Sequence, residues 1–398
     1  MRRRQSVSLR IGWANMPDRH LPAKTELALW RERDARIRKA LNYEPVDRIP
    51  ILYYGVAWAP ISQGMPLSKF CTDPEAGVQV TLDAMDSLPY VDGINMPTKG
   101  LIPVGLTDLW LSRVEIPGRE LPENTLWQVH EEETMKVEDY DIILNQGWEA
   151  FLARIGPKVH KPDLCERNNE WLRLNAPRLA QRYRERGYAI LASVDTTIPF
   201  EALCGARSMQ KFFLDCYRIP EKVKAALDIA QAFFTNLAIA GTNVTGVKAT
   251  WVGGWRAASS LVSPKIWNKL VFPYYHDMLM KLHEHGILCV LHFDHNWDRD
   301  IKHFLEFPKG CVLSLDGATD IRRAKEILGD HVVFLGDVPS SLFAAGTPDD
   351  VRRYVRELIK SLGPRGLIMN PGCDIPFNAP RANVEAFVAA THEYGTYA

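Results

Sequence analysis

His292 and Asp294 stand two residues apart in "HFDHNWD", where the apolar run "LCVLHF" ends. Alternate residues of a strand face the same side, so an imidazole and a carboxylate converge there on one point. Cys373, in "NPGCDIPFNAP", follows a second apolar run. Imidazole, carboxylate and thiolate are all zinc ligands, and three protein ligands with an open fourth position make a catalytic site. Glu201 is a candidate fourth ligand. The competing readings are plain ones: a strand-end aspartate often caps the next helix, and a lone cysteine often packs as a small hydrophobe. His295 is a rival imidazole, but it points away from the His292 side if the strand continues.

The elements that position these residues recur along the chain. Short apolar runs begin at Ile49, Val91, Ala189, Gly246, Leu288, Cys311, Val332 and Gly366, each followed by a polar turn and a helical stretch. This alternation predicts an α/β fold with parallel strands and right-handed crossovers. Eight such units predict a (β/α)8 TIM barrel, assigned to residues 46–398. Residues 1–45 read as an N-terminal arm followed by a helix over 24–41. Between the second and third strands, residues 98–150 break the alternation and predict a β-hairpin insertion over the barrel mouth. Residues 145–187 read as helical.

A barrel of this kind carries its active site at the C-terminal ends of its strands. Tyr53, Tyr54, Asn95, Trp251, Trp255 and Arg256 fall there and are candidate substrate-binding residues. With Trp58, the aromatic rings can wall a flat aromatic substrate. Arg256 suits a substrate carboxylate or the periphery of a cofactor, or else an ion pair with Asp316 or Asp337. Asp195, Asp316 and Asp337 are candidate catalytic residues, able to orient ligands or supply a proton.

Composition limits the partners. Lys+Arg and Asp+Glu are both 48, so no bulk field recruits nucleic acid or an anionic membrane. No apolar stretch reads as long enough to span a bilayer, and "MRRRQ" lacks the apolar segment of a secretory signal. The 7 cysteines are scattered without a CxxC pair, as expected for reduced thiols in the cytoplasm.

Four segments, "ALNYEPVDRIPI", "SSLVSPKIWNKLVFPYYHDMLMKLHEHGILCVLHFD", "LSLDGATDIRRAKEILGDHVVFLGDVPSSLFAAGTPDDVRRYV" and "NPGCDIPFNAPRANVEAF", together resemble the uroporphyrinogen decarboxylase superfamily. The likeness runs from about residue 38 onward and is strongest over 246–390. Decarboxylases of that superfamily carry arginine in the loop after the first strand; "YYGVAWAPISQG" here has none. The other branch comprises corrinoid-linked methyltransferases, whose zinc ligands lie on a His-x-Cys after the fifth strand and a Cys after the last. The resemblance therefore implies zinc on His292 and Cys373, with Asp294 replacing a thiolate. A carboxylate leaves a harder, more Lewis-acidic zinc, suited to polarising oxygen. Asp294 as a non-ligand would put the metal itself in doubt.

The expected activity is transfer of a methyl group from a small donor, foremost a methoxylated aromatic, to the cob(I)alamin of a separate corrinoid protein. No Asp-x-His-x-x-Gly segment is present to bind a corrinoid in this chain. The alternatives are a methyl-corrinoid:thiol methyltransferase, a decarboxylase of a less anionic substrate, and a non-catalytic corrinoid-binding or small-molecule-binding protein. Relatives suggest a monomer or homodimer.

Overall fold

The computed structural model describes residues 25–397. The arm expected over residues 1–24 lies outside the described residues. Each predicted apolar run contributes strand structure. In chain order the strands are β1 (Leu52–Tyr53), β2 (Gly93–Ile94), β3 (Val114–Glu115), β4 (Gln128–Val129), β5 (Ala189–Ile190), β6 (Val194–Thr197), β7 (Ala249–Gly254), β8 (Leu288–Phe293), β9 (Val312–Leu315), β10 (Val333–Leu335) and β11 (Leu367–Ile368). One sheet has the order β1-β2-β5 and a second the order β11-β10-β9-β8-β7-β6. Every pairing within these two sheets is parallel.

Hydrogen bonds join the two sheets at both ends. On one side the Leu52 N–H donates to Met369 O at 2.9 Å and the Met369 N–H to Pro50 O at 2.8 Å. On the other, the predicted third strand changes partner midway. Leu191 and Ala192 donate to Ile94 and Asn95 of the β2 side, whereas Ser193 donates to Ala249 of β7. A single apolar run is thereby split into β5 and β6, a division that its composition does not reveal.

Side chains alternate across the strands, as the pleat requires. Leu52, Tyr54, Trp251, Val290, Val312, Val333, Leu335 and Ile368 share an inward cluster. Val252, Leu291, Phe293, Leu313 and Phe334 pack outward in a second cluster with the helices. The helix Glu26–Leu41 starts at Thr25, whose Oγ1 accepts from the Ala28 N–H. Its Ile37 and Ala40 join the inward cluster, so this helix closes over the interior rather than standing apart. Beside them the Asp92 carboxylate, with none of its side chain exposed, receives Arg36 Nη1 at 2.6 Å, both terminal nitrogens of Arg48 at 2.8 Å and the Ile51 N–H at 2.8 Å.

Residues 98–150 hold more than the expected hairpin. β3 and β4 do pair antiparallel, Val114 opposite Val129. A helix, Ile102–Trp110, precedes them, and Asp139–Gln146 follows. Proline in the first turn suits a helix start, because its fixed φ is already helical and its missing N–H would have had no partner. In "LIPVGLTDLW" that signal outweighs the alternation read from the sequence. The helix Pro199–Arg207 meets this insertion closely: a Cβ on Gly205 would lie 1.8 Å from Trp110 O.

Among the described residues one helix, Pro220–Thr245, has the length and apolarity to cross a membrane, with a mean hydropathy of 1.2, contrary to the sequence reading. Its stripe of Val223, Ala226, Leu227, Ala230, Phe234 and Ala238 is buried in the outward cluster. Thr196 of β6 donates to its Phe234 O at 3.1 Å, so this is a helix packed on the sheet.

Candidate metal centre

Leu291 and Phe293 face the helices, so the pleat turns His292 inward at the end of β8. Asp294 follows on the same side, and the turn after β11 brings in Cys373. One donor atom from each of His292, Asp294 and Cys373 lies within 4.8 Å of the other two. His292 Nε2 and Asp294 Oδ1 are 3.0 Å apart, yet they are not aligned for a hydrogen bond and neither atom has another partner. Buried polar atoms are nearly always paired, so two orphans facing each other call for an occupant between them. Tetrahedral zinc with ligands at roughly 2.0–2.3 Å places donor atoms about 3.5 Å apart. The observed spacing brackets that separation, and the nitrogen, oxygen and sulfur donors suit zinc.

His292 is fixed from two sides. Its Nδ1 lies 3.1 Å from Ser314 Oγ on β9, leaving Nε2 toward Asp294. Its ring stacks on Trp251, with centroids 4.3 Å apart and planes 18° apart. Ser314 was not singled out in the sequence. The signal was present: β8 and β9 pair with His292 opposite Ser314, a polar residue within "VLSL". Burial, with Asp294, Asp374 and Asp316 nearby, pushes the Cys373 thiol well above its ordinary pKa. A metal that takes up the thiolate must therefore displace a proton, so affinity for it rises with pH.

Asp374 is a second residue the sequence reading passed over. Its carboxylate accepts from the Val56 N–H at 2.5 Å, and Ser340 Oγ donates to its carbonyl at 2.8 Å. Burial raises this carboxyl to about 7 against the pull of backbone N–H groups, the largest from Val56. It ties the turn bearing Cys373 to the loop after β1.

The structure does not bring Glu201 into this group. Its carboxylate is buried and accepts three successive backbone N–H groups, from Trp255 at 2.8 Å, Arg256 at 3.0 Å and Ala257 at 2.9 Å. It organises the turn after β7 instead. In that turn Trp255 folds back over Gly253, where a Cβ would meet its ring at 2.0 Å. Trp255 lies edge-on to Trp110, centroids 4.9 Å apart, and 6.0 Å from Trp251. Tyr54 completes this wall, 6.2 Å from Trp251.

Other expected residues are placed differently. Tyr53 belongs to the outward cluster and donates to Gly55 O at 2.8 Å; Trp58 is buried there too, donating to Ala379 O. Alternation explains the difference between neighbouring tyrosines: Tyr54 faces in and Tyr53 faces out. Arg256 pairs with neither Asp316 nor Asp337. Its guanidinium lies over Trp110 at 5.0 Å and 3.7 Å from Glu131. Asp316 accepts from the backbone N–H groups of His295 and Ala318, fixing the two loops that follow β8 and β9. His295 itself has φ +65° and is exposed, outside the group of donors. Asp195 lies opposite Trp251 in the β6–β7 pairing, and burial raises its carboxyl pKa.

Asp337 accepts from the Tyr354 hydroxyl at 2.8 Å, on the helix Pro348–Leu362. That bond turns it toward the helix layer. Burial raises its carboxyl to about 6, with Tyr354 and Arg322 opposing. A carboxyl raised on folding stabilises the fold fully below its unfolded pKa of about 3.8, and that contribution is lost as pH rises through about 6. Asp337→Asn should therefore remove up to about 3 kcal/mol of pH dependence between these limits. Urea unfolding of both proteins at several pH values would reveal it as converging or parallel curves.

The class that fold and site define is a parallel α/β protein with a histidine, a carboxylate and a thiol gathered at its strand ends. Residues 193–394 match the uroporphyrinogen decarboxylase (URO-D) family, and the chain belongs to that family. A uroporphyrinogen decarboxylase of Syntrophotalea carbinolica is 24% identical over 365 residues, covering 87% of this chain and 94% of its own length. Another from Psychromonas ingrahamii is 38% identical, but over 87 residues, 21% of this chain and 24% of that protein. Among solved structures, a methyltransferase from Methanosarcina mazei superposes with a TM-score of 0.67 at 18% identity, covering 91% of this chain and 98% of its own. That similarity is one of fold.

Proposed function

We propose that this chain is a zinc-dependent methyltransferase built on a closed (β/α)8 barrel, moving a methyl group from a methoxylated aromatic to the cob(I)alamin of a separate corrinoid protein. The observation that carries the reading is the unpartnered His292 Nε2 and Asp294 Oδ1 beside Cys373. Zinc held there would supply Lewis acidity toward the oxygen of the methyl donor. In the transfer, the carbon–oxygen electron pair stays on oxygen while the methyl passes to the cobalt nucleophile, and the oxygen gains a proton. The Tyr54 and Trp255 rings are tilted 47° and 49° to Trp251, which itself stacks on His292, and this aromatic edge would orient an aromatic donor. Asp195, opposite Trp251, is held toward its protonated form by burial and can carry a proton to that edge. The 7 free cysteines suit work in a reducing cytoplasm.

Metal content is the test, measured on protein purified without added metal or chelator. About one zinc per chain, with zinc-dependent transfer from a panel of methoxyarenes to cob(I)alamin, is the expected result. Folded protein without metal would overturn it. The curated relatives favour a second reading, decarboxylation. That activity needs no metal and would survive in Cys373→Ala.

A further inference from the structure

Among the described residues, only Asn95 has both of its side-chain polar atoms buried without a partner. The residue is fully buried. Its backbone is already satisfied: its N–H donates to Tyr53 O at 3.0 Å, and its carbonyl accepts from Ala192 at 2.9 Å. The amide is thus not needed to complete the sheet. Ile94 faces the helices, so alternation turns Asn95 inward, next to Tyr54, since Tyr53 is paired with Ile94. Tyr54 contacts Trp251, whose Nε1 is also buried without a partner, and Trp251 stacks on His292. The strand pattern thus turns the unpaired amide toward the same interior as Tyr54 and the Trp251 ring that stacks on His292. Leaving a buried donor or acceptor unpaired costs roughly 1–3 kcal/mol, and sites retain that cost where a ligand satisfies it.

We infer that Asn95, with Trp251 Nε1, forms a subsite for an uncharged hydroxyl substituent carried by the substrate next to its methoxy group. The inference rests on the methoxyarene reading above. A hydroxyl both donates and accepts, so it can meet the amide oxygen and the amide nitrogen together. It does so whichever way the amide is turned. A carboxylate only accepts; it would satisfy the amide nitrogen and leave the amide oxygen facing an anion. An unsubstituted methoxyarene satisfies neither atom. The subsite thus selects hydroxylated over both plain and carboxylated donors.

Calorimetric binding to the full chain tests this with three probes: 2-methoxyphenol, methoxybenzene and 2-methoxybenzoate. The expected result is at least about tenfold tighter binding of 2-methoxyphenol than of either other probe. In Asn95→Leu, similar in size but apolar, that preference disappears, and the variant melts at or above the wild-type temperature because two unpaired polar atoms are gone. Equal binding of the three probes by the wild type would overturn the subsite while leaving the methoxyarene reading in place. So would an Asn95→Leu variant that keeps the preference. A folded variant that melts far below wild type would place the amide in the frame of the fold and overturn the subsite too. Binding of none of the probes would overturn the methoxyarene reading itself, and the subsite with it.

Discussion

On the proposed zinc-dependent methyl transfer, His292→Ala is expected to lose bound zinc and to lower turnover at least ~100-fold while the protein stays folded. The imidazole supplies one of three donor atoms within 4.8 Å, and among the described residues no other histidine joins the group. Its removal leaves a carboxylate and a thiol, too few to retain the ion against a chelator. The fold should persist, because the backbone of β8 is bonded along its whole length to β7 and β9. Ser314→Ala provides the graded comparison. It leaves all three donors but frees Nδ1, and loss of such an outer partner typically weakens metal binding 10–100-fold. Zinc competition with a chromogenic chelator measures both variants. Full zinc retention in His292→Ala would remove the proposed centre, and equal affinity in Ser314→Ala would deny the serine an orienting role.

The second large effect concerns stability. Asp92→Ala should cost about 3–5 kcal/mol, because it strands buried guanidinium charge. Asp92 is wholly buried, and Arg36 beside it has 3% of its side chain exposed. Asp47 also binds Arg36, at 2.7 Å, but 65% of its side chain is exposed. Solvent screens that pair, so Asp47→Ala should cost no more than about 1 kcal/mol. Urea unfolding midpoints compare the two directly. Similar losses in both would show that burial does not govern this network.

Much of the architecture could be read in advance because parallel strands covered on both faces are written as short continuous apolar runs. His292, Asp294 and Cys373 were legible for a local reason: strand-end spacing and the turn after the last strand place them. What could not be read depends on partners distant in sequence. Glu201 offered a carboxylate at the right end of the strands, but its three backbone bonds come from residues 255–257. Asp337 sits at a strand end, yet Tyr354 draws it to the helix layer. Ser314 stood out only as a polar residue within "VLSL"; that it faces His292, and that Asp374 ties two loops, depends on register and loop contact, which a single sequence does not display. The helix Ile102–Trp110 was missed because alternation was given more weight than proline at a helix start.

The hydrogen bonds that join the two sheets on the β1 side also set the order of events during synthesis. Ile49 donates to Gly395 O, and Tyr397 to Asp47 O, across nearly the whole chain. The outer edge of the first strand therefore stays unpaired until Met369 has been made, and the residues just before it until Gly395 and Tyr397 have. An unpaired strand edge is a template for pairing with other chains. The buried bonds from Arg36 and Arg48 to Asp92 involve only early residues, so they can form while the rest of the chain is still being made. They would hold the helix Glu26–Leu41 against β1 and β2 during that interval, making this network a guard for the nascent chain.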